Sequence, residues 1–334
     1  MQSRVTRVVV LVVGVALATV GCGKYSISNI RALKAFQDGS DAYKKGDFTE
    51  AITHYQESID RNPEFGFAYF FLGNSYDNLF KPARKGDPAN DQNLVKATEY
   101  YRTAIQKLAT SPEPQAPMIR KRSYEFLIAA YGPDKLNDFS QAEPLALELI
   151  SIDPNEPGNY SALSRLYEDQ GRYQEAEAIL QKLAAQRPND PLTYQFLAGF
   201  YDRQGNFEKT IEAWKQRAKA EPNNPEAWQA IATFYFDETS TNKELRPNVA
   251  RDYAIAGIEA TNRALELNPE YFEAVAYKNI LLRQQANYER SPAVQKQLIA
   301  EADVLLARAK ELQAKQAGQA VADAAAAAAK AGQK

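Results

Sequence analysis

The chain has 334 residues and is close to neutral, with 40 basic side chains against 42 acidic ones, a balance that disfavours nucleic acid or another polyanion as partner. A content of 45% hydrophobic and 25% charged residues is that of a folded globular chain and excludes wholesale disorder. One Cys, one His and two Met exclude a disulfide scaffold, a zinc site of the usual Cys/His kind and a Cys/His nucleophile pair, so no metal or cofactor is expected.

The first element in chain order is a leader. Arg4 and Arg7 precede residues 8–20, an apolar run interrupted only by Gly14 and Thr19. Such a run is shorter than the roughly 20 residues that span a bilayer, and behind a basic start it has the pattern of an export signal. Residues 1–21 are therefore set aside from the fold. They end in Thr19-Val20-Gly21, and the chain's single cysteine, Cys22, follows.

This junction resembles a bacterial lipobox, with Thr19 where the family usually carries Leu. The resemblance implies a diacylglycerol on the Cys22 thiol, cleavage just before it and acylation of the new amino group. Each buried methylene contributes about 0.8 kcal/mol, so one acyl chain holds weakly and two or three hold firmly. Gly23, where an Asp would signal retention, points by the same resemblance to the periplasmic face of the outer membrane. The alternative is ordinary cleavage after Ala16-Leu17-Ala18 and a soluble exported protein. Residues 22–31 are expected to be the lipidated end and its tether, with a polar spacer over 26–30 keeping the body clear of the headgroups.

Beyond the tether, the sequence repeats. Pro154, Pro188 and Pro222 stand 34 residues apart, as do Pro157, Pro191 and Pro225. Tyr160, Tyr194 and Trp228 keep the same step, and so do Tyr167, Tyr201 and Tyr235, and Gly171 and Gly205. Within one period Tyr160, Leu163, Ser164 and Tyr167 mark one face of a helix. Gly171 breaks the chain, and Ala176, Leu180 and Leu183 form the inner face of a second helix. The prolines bound the periods, because proline suits a first helical turn and not an interior.

Period, prolines and aromatic spacing together resemble the tetratricopeptide repeat (TPR). The resemblance implies an all-α superhelical solenoid of antiparallel helix pairs with a C-terminal capping helix. It extends over residues 32–290 as about six repeats and a partial seventh. The first carries Gly39, Tyr43, Ala51, Tyr55 and Pro63; the second Tyr69, Leu72, Gly73, Tyr76, Ala97, Tyr101 and Ala104; the third Tyr124, Leu127, Ile128 and Tyr131. Residues 157–190 and 191–224 are regular. Insertions near 81–93 and 238–250 are expected as loops of about a dozen residues between paired helices. Ser291-Pro292 opens a helix over 291–316 whose stripe of Val294, Leu298, Leu305, Ala309 and Leu312 is expected to cover the last repeat, as solenoids require. The Ala-rich residues 317–334 lack large apolar side chains to anchor them, and are expected to fray.

Catalytic chemistry is hard to assemble from this inventory. His54 follows Glu50 by four residues on a second helix and is expected to face solvent. Gly86 and Gly132 are isolated and read as turns rather than a phosphate loop. Asp87, Asp91 and Asp237 lack the spacing of a calcium loop and are expected as solvated loop charge. The chain is accordingly not expected to be an enzyme; an exported helical-array enzyme or sugar-binding protein is the opposing reading.

The recurring aromatics read as packing residues, which leaves a second stripe on the first helices, a third of a turn away. The resemblance implies that this stripe lines a concave groove. Carried over, it comprises Phe70, Asn74 and Asp77; Ser161, Arg165 and Glu168; Gln195, Asp202 and Arg203; and Gln229, Thr233 and Phe236. Its mixed polarity suits an extended peptide whose amides need partners. It does not match the carboxylate clamp of chaperone-binding TPRs, where Asn74 alone fits. The expected partner is a protein or peptide, with no small-molecule substrate and no nucleic acid. Repeat type plus anchor resemble the pilotins and the accessory lipoproteins of the β-barrel assembly machinery.

Overall fold

The computed structural model of the chain describes residues 26–331. The leader and Cys22 lie outside the described residues, as do the last three of the Ala-rich stretch. The described residues form fourteen α-helices. In chain order they are α1 (Ile27–Lys45), α2 (Phe48–Arg61), α3 (Gly66–Leu79), α4 (Pro88–Ala109), α5 (Ala116–Ala130), α6 (Phe139–Ile152) and α7 (Pro157–Asp169). There follow α8 (Tyr173–Gln186), α9 (Pro191–Arg203), α10 (Phe207–Ala220), α11 (Pro225–Thr241), α12 (Pro247–Leu267), α13 (Phe272–Tyr288) and α14 (Pro292–Ala331). The chain divides into two compact units inside α8, between Ala176 and Glu177.

Consecutive helices pack as pairs, the helix–turn–helix unit that the period predicts. In unit 1 these are α1 with α2, α3 with α4 and α5 with α6; in unit 2 they are α9 with α10, α11 with α12 and α13 with α14. The turn inside a pair is set by one backbone position. Gly46, Gly171 and Gly205 hold φ of 81°, 69° and 66°, the left-handed region that ends a helix. Asn137, one period before Gly171, takes φ 54° at the end of the longer turn that leads from α5 into α6. Asp47, Asp138 and Asn206 follow at once and cap the second helix, each accepting from a backbone N–H three residues on.

Between pairs the other turn is equally regular. Pro157, Pro191 and Pro225 occupy the first turn of their helices, capped by Glu156, Asp190 and Asn224. Tyr160 Oη donates to the Pro154 carbonyl at 3.1 Å, Tyr194 Oη to Pro188 at 2.8 Å and Trp228 Nε1 to Pro222 at 3.4 Å. This aromatic column therefore clips the proline turn as well as packing. Tyr160 is buried, while Tyr194 and Trp228 are half-buried, an amphipathic placement in which the polar tip reaches the turn. The deep core consists of Tyr55, Tyr101, Tyr124 and Tyr160 with Leu72, Leu94, Leu127 and Leu163 in unit 1, and includes Leu281 in unit 2.

Three expectations need correction. The polar spacer over 26–30 is helical: Ser26 is the N-cap of α1, its Oγ accepting from Asn29 N at 3.1 Å, so the helix starts inside the expected tether. The two insertions are mainly longer helices, because each supplies a proline start and apolar contacts that a loop would leave exposed. The first forms a short 3-10 turn (Pro82–Arg84) and the opening of α4, where Asn90 and Leu94 are buried. The second lengthens α11 and α12 and leaves residues 242–246 between them. Asp87 and Asp91 are not idle loop charges, since Asp87 caps α4 and Asp91 Oδ2 accepts from Gly86 N at 2.8 Å. Asp237 lies on α11.

At the C-terminus α14 packs on α13 through Leu305, Ala309 and Leu312 against Val275 and Phe272. Salt bridges Lys278–Glu301 (3.0 Å) and Arg283–Asp303 (2.6 Å) flank the contact. Val294 stands exposed ahead of it. The helix passes Gln316 without a break and continues to Ala331, in keeping with alanine's high helix propensity.

Candidate functional site

The first helices of successive pairs present the stripe singled out in the sequence, and in unit 1 part of it is filled by the chain itself. Phe70 and Asn74 are 5% exposed. Phe70 packs edge-on against Phe71 and Phe126. Tyr43 Oη donates to Asn74 Oδ1, and Asn74 Nδ2 donates to Tyr101 Oη at 3.2 Å. Tyr101 Oη in turn donates to Asp77 Oδ2 at 3.4 Å, and Lys135 pairs with the other carboxylate oxygen. Burial pushes the Tyr101 hydroxyl well above its ordinary pKa, with the Asp77 charge adding to the effect, so it stays a donor. Phe70, Asn74 and Asp77 thus knit α1, α3 and the α5–α6 turn together and offer little to a ligand, contrary to the groove expectation. Tyr43 reaches them from repeat one and Phe126 and Lys135 from repeat three, contacts that single-repeat spacing does not reveal.

The stripe opens farther along unit 1. Between α5 and α7 lies a cleft of about 770 Å³ with Ile128, Leu149 and Leu166 among its apolar lining. Arg165 is the member of the expected stripe that reaches it, and Ala162 and Asp169 stand on the same helix. Ser161 and Glu168, also on α7, are half-buried. Opposite, α5 contributes Lys121 and Glu125, and the turn after it Asp134 and Lys135. Lys121 Nζ donates to Glu156 Oε2 at 2.8 Å and lies 3.7 Å from Asp153. Burial works against its charge, but Glu156 and the neighbouring carboxylates outweigh it and hold the ammonium above its ordinary pKa.

The acids respond in the opposite sense. Burial raises the pKa of Glu125, against the lowering influence of Lys121 and Arg122. Burial also raises that of Asp169; Arg165 offsets part of the shift, and Glu168 and Asp134 add to it. The cleft therefore sets the Glu125 and Asp169 carboxyls and the Arg165 guanidinium around an apolar floor. From the rim of the first insertion, Lys85 Nζ donates to the Pro133 carbonyl at 3.2 Å and fixes the turn that bounds the cleft. Glu125 follows Tyr124 as Ser161 follows Tyr160, so the same stripe logic reaches it once the two extra residues of the third repeat's turn are counted.

In unit 2 the stripe is split in the same manner. Gln195, Asp202 and Arg203 are exposed on α9. Gln229 is 6% exposed, its Nε2 donating to Thr233 Oγ1 at 3.4 Å. Phe236 is half-buried, edge-on to Tyr277 at 5.4 Å between ring centres. A smaller depression of about 400 Å³ lies among Lys215, Trp228, Glu259 and Arg263. His54 is half-buried, with Nε2 3.8 Å from Glu50 Oε1. Among the described residues no group of three or more His, Cys, Asp or Glu side chains is placed to hold a metal ion, and no helix is long and apolar enough to cross a membrane.

Residues 36–112 and 135–199 match family models described as tetratricopeptide repeat. No curated protein sequence matches the chain. Among solved structures, a tetratricopeptide repeat protein from Parabacteroides merdae ATCC 43184 is 15% identical, with 82% of this chain and 99% of that one covered at a TM-score of 0.42. MamA is 17% identical over 59% of this chain and 94% of its own, at a TM-score of 0.39. YrrB, a TPR protein with an unusual peptide-binding site, is 14% identical over 60% and 91% at 0.37.

Proposed function

We propose that this chain, which carries tetratricopeptide repeats, is a non-enzymatic scaffold holding a protein or peptide partner in the cleft between α5 and α7. We propose further that it is exported and lipid-anchored through Cys22 at the periplasmic face of the outer membrane, where it serves envelope or secretion assembly. One contrast supports the binding site. Along the first-helix face of unit 1 the stripe is sealed at Asn74 and Asp77 by intramolecular bonds, and it is open between Lys121 and Asp169. Charged donors and acceptors around an apolar floor suit an extended segment, whose amides need hydrogen bonds while one or two side chains find pockets.

A photo-crosslinking residue at position 162, inside the cleft, tests the site in intact cells against one at position 53 on the exposed side of α2. A partner captured from 162, not from 53, and lost with Arg165→Glu supports the assignment. Equal capture from both positions, or capture indifferent to Arg165→Glu, sinks it. The anchor rests on the sequence around Cys22 and is tested separately by labelled palmitate, whose incorporation is expected to disappear with Cys22→Ser.

A further inference from the structure

Helix α1 has two apolar faces. Ala32, Ala35, Phe36, Gly39 and Ala42 are buried in the core of unit 1. On the opposite side, at 100° per residue, Ile27, Ile30 and Leu33 form a stripe three residues apart and stand 69%, 56% and 53% exposed. Single exposed aliphatics are ordinary on a protein surface, whereas three in line on one helix face away from the core mark a contact surface. No described residue covers them.

We propose that this stripe lies in the headgroup–acyl boundary of an anionic bilayer, with the first two turns of α1 against the membrane and the charged face beyond them, at Lys34, Asp38 and Asp41, at the headgroup level. The inference rests on the reading of Cys22 as the anchor, and three observations point to this occupant. Only Gly23, Lys24 and Tyr25 separate Cys22 from the Ser26 cap, so even a fully extended chain holds the start of α1 within about 14 Å of the anchored residue. The expected spacer, which would have lifted the stripe away from lipid, is instead part of the helix. Lys34 is paired with Asp38 and Lys44 with Asp41, yet over residues 22–45 the basic side chains Lys24, Arg31, Lys34, Lys44 and Lys45 outnumber the acidic Asp38 and Asp41, a balance complementary to anionic headgroups. An amphipathic helix with aliphatics on one side and Lys or Arg at its margins is held by buried apolar area together with that attraction. A single tether leaves a protein free to rotate; this second contact fixes unit 1 against the surface by its N-terminal helix.

The test uses the mature chain from Cys22 onward, coupled through that sole thiol to maleimide phospholipid in vesicles of phosphatidylcholine and phosphatidylglycerol. Coupling supplies the anchor chemically. Ile30→Trp is compared with Thr53→Trp on α2, the signal of Trp214 and Trp228 being subtracted with the unsubstituted chain. Brominated phosphatidylcholine is expected to remove about half of the emission added at position 30 and to leave that at position 53 unchanged, as a shallow interfacial depth requires. Leu33→Trp repeats the measurement should one substitution disturb the helix. Equal quenching at 30, 33 and 53 overturns the proposal. So does a blue-shifted Ile30→Trp without vesicles in a sample that sediments as a dimer, which assigns the stripe to a second copy of the chain. Absence of palmitate on Cys22 in cells removes the anchor and the inference together, whereas palmitate present with no quenching overturns the role of α1 alone.

Discussion

Glu177 accepts a hydrogen bond from Tyr201 at 2.8 Å, joining α8 to the first helix of the following pair. Glu143 and Tyr167 repeat the contact at 2.9 Å one period earlier. In each case a cation at the entry to the next second helix completes the arrangement: Arg172, the residue before α8, has Nη1 2.9 Å from Glu143 and its guanidinium carbon 4.4 Å from the Tyr167 ring centre, and Lys209 Nζ on α10 lies 2.7 Å from Glu177. The carboxylate, phenol and cation link successive repeats with polar groups that the apolar period does not display. Tyr167→Phe and Tyr201→Phe, which keep the ring and delete the donor, are each expected to lower stability by about 1–2 kcal/mol in denaturant titrations. Unchanged midpoints in both would reduce these contacts to surface decoration.

The same contact predicts how stability responds to pH. Burial, reinforced by Glu143, pushes the Tyr167 phenol up to about 12, and the stabilisation tied to that shift is complete below the ordinary tyrosine value near 10. It is lost as pH rises from there through the folded value. Arg172, assisted by the Tyr167 hydrogen bond, holds Glu143 below its ordinary range, so its contribution is present above the ordinary glutamate pKa and is lost as pH falls through the depressed one. Melting temperature against pH should therefore decline on both sides of neutrality. Tyr167→Phe should make the alkaline decline shallower while leaving most of the acid limb, and an unaltered alkaline limb would contradict the assignment.

The sealed and open parts of the first-helix face make opposite predictions. Asp77 is 7% exposed at its side chain and pairs with Lys135 while accepting from Tyr101. Asp77→Ala is expected to cost about 2 kcal/mol, the range for a charged hydrogen bond lost from a partly buried site. Arg165, exposed in the cleft, should be replaceable by Glu within about 0.5 kcal/mol. Partner capture should show the reverse order, weakened by Arg165→Glu and retained by Asp77→Ala wherever the folded fraction is matched. Loss of capture with Asp77→Ala at full folding would place Asp77 in the binding surface after all.

The helix pairs were legible because the 34-residue step records a face, a turn and a proline in the same columns each time. What that step cannot record is contact between repeats of different length. Phe70, Asn74 and Asp77 keep the groove register, yet Phe126 and Lys135 reach them from the third repeat, whose internal turn runs two residues longer. Glu125 keeps the stripe position beside Tyr124, whereas Lys121 enters the cleft through its bond to Glu156 of the following repeat, a contact the step does not record. Asn137 is a plainer case, an asparagine in the column of Gly171, where its short side chain tolerates the left-handed backbone. Asn137→Gly should leave stability unchanged or raise it by up to about 1 kcal/mol, and Asn137→Val should lower it by about 1–2 kcal/mol, since a β-branched residue resists that conformation. A tolerated valine would show that the turn adapts.

Asn90 is the buried side chain that braces the first insertion, and its role can be separated from its mere presence. Asn90 is 4% exposed. Its Oδ1 accepts from Lys81 N at 2.8 Å, and its Nδ2 donates to the carbonyls of Lys81 at 3.2 Å and Arg84 at 3.1 Å. One amide thus binds three backbone groups of the 3-10 turn: it gives the Lys81 N–H its acceptor and adds a second donor to the Lys81 and Arg84 carbonyls, which also accept from Arg84 N and Asp87 N. The same segment carries Lys85, whose bond to Pro133 bounds the cleft. Asn90→Ala should cost about 1–3 kcal/mol and raise amide exchange across residues 81–87 more than elsewhere in α3 and α4. If the insertion serves the cleft, Asn90→Ala should also weaken partner capture from position 162 at matched folded fraction. Lys85→Ala should reproduce that loss with little change in stability. Capture that withstands both substitutions would leave the insertion as a brace for α4, with no part in binding.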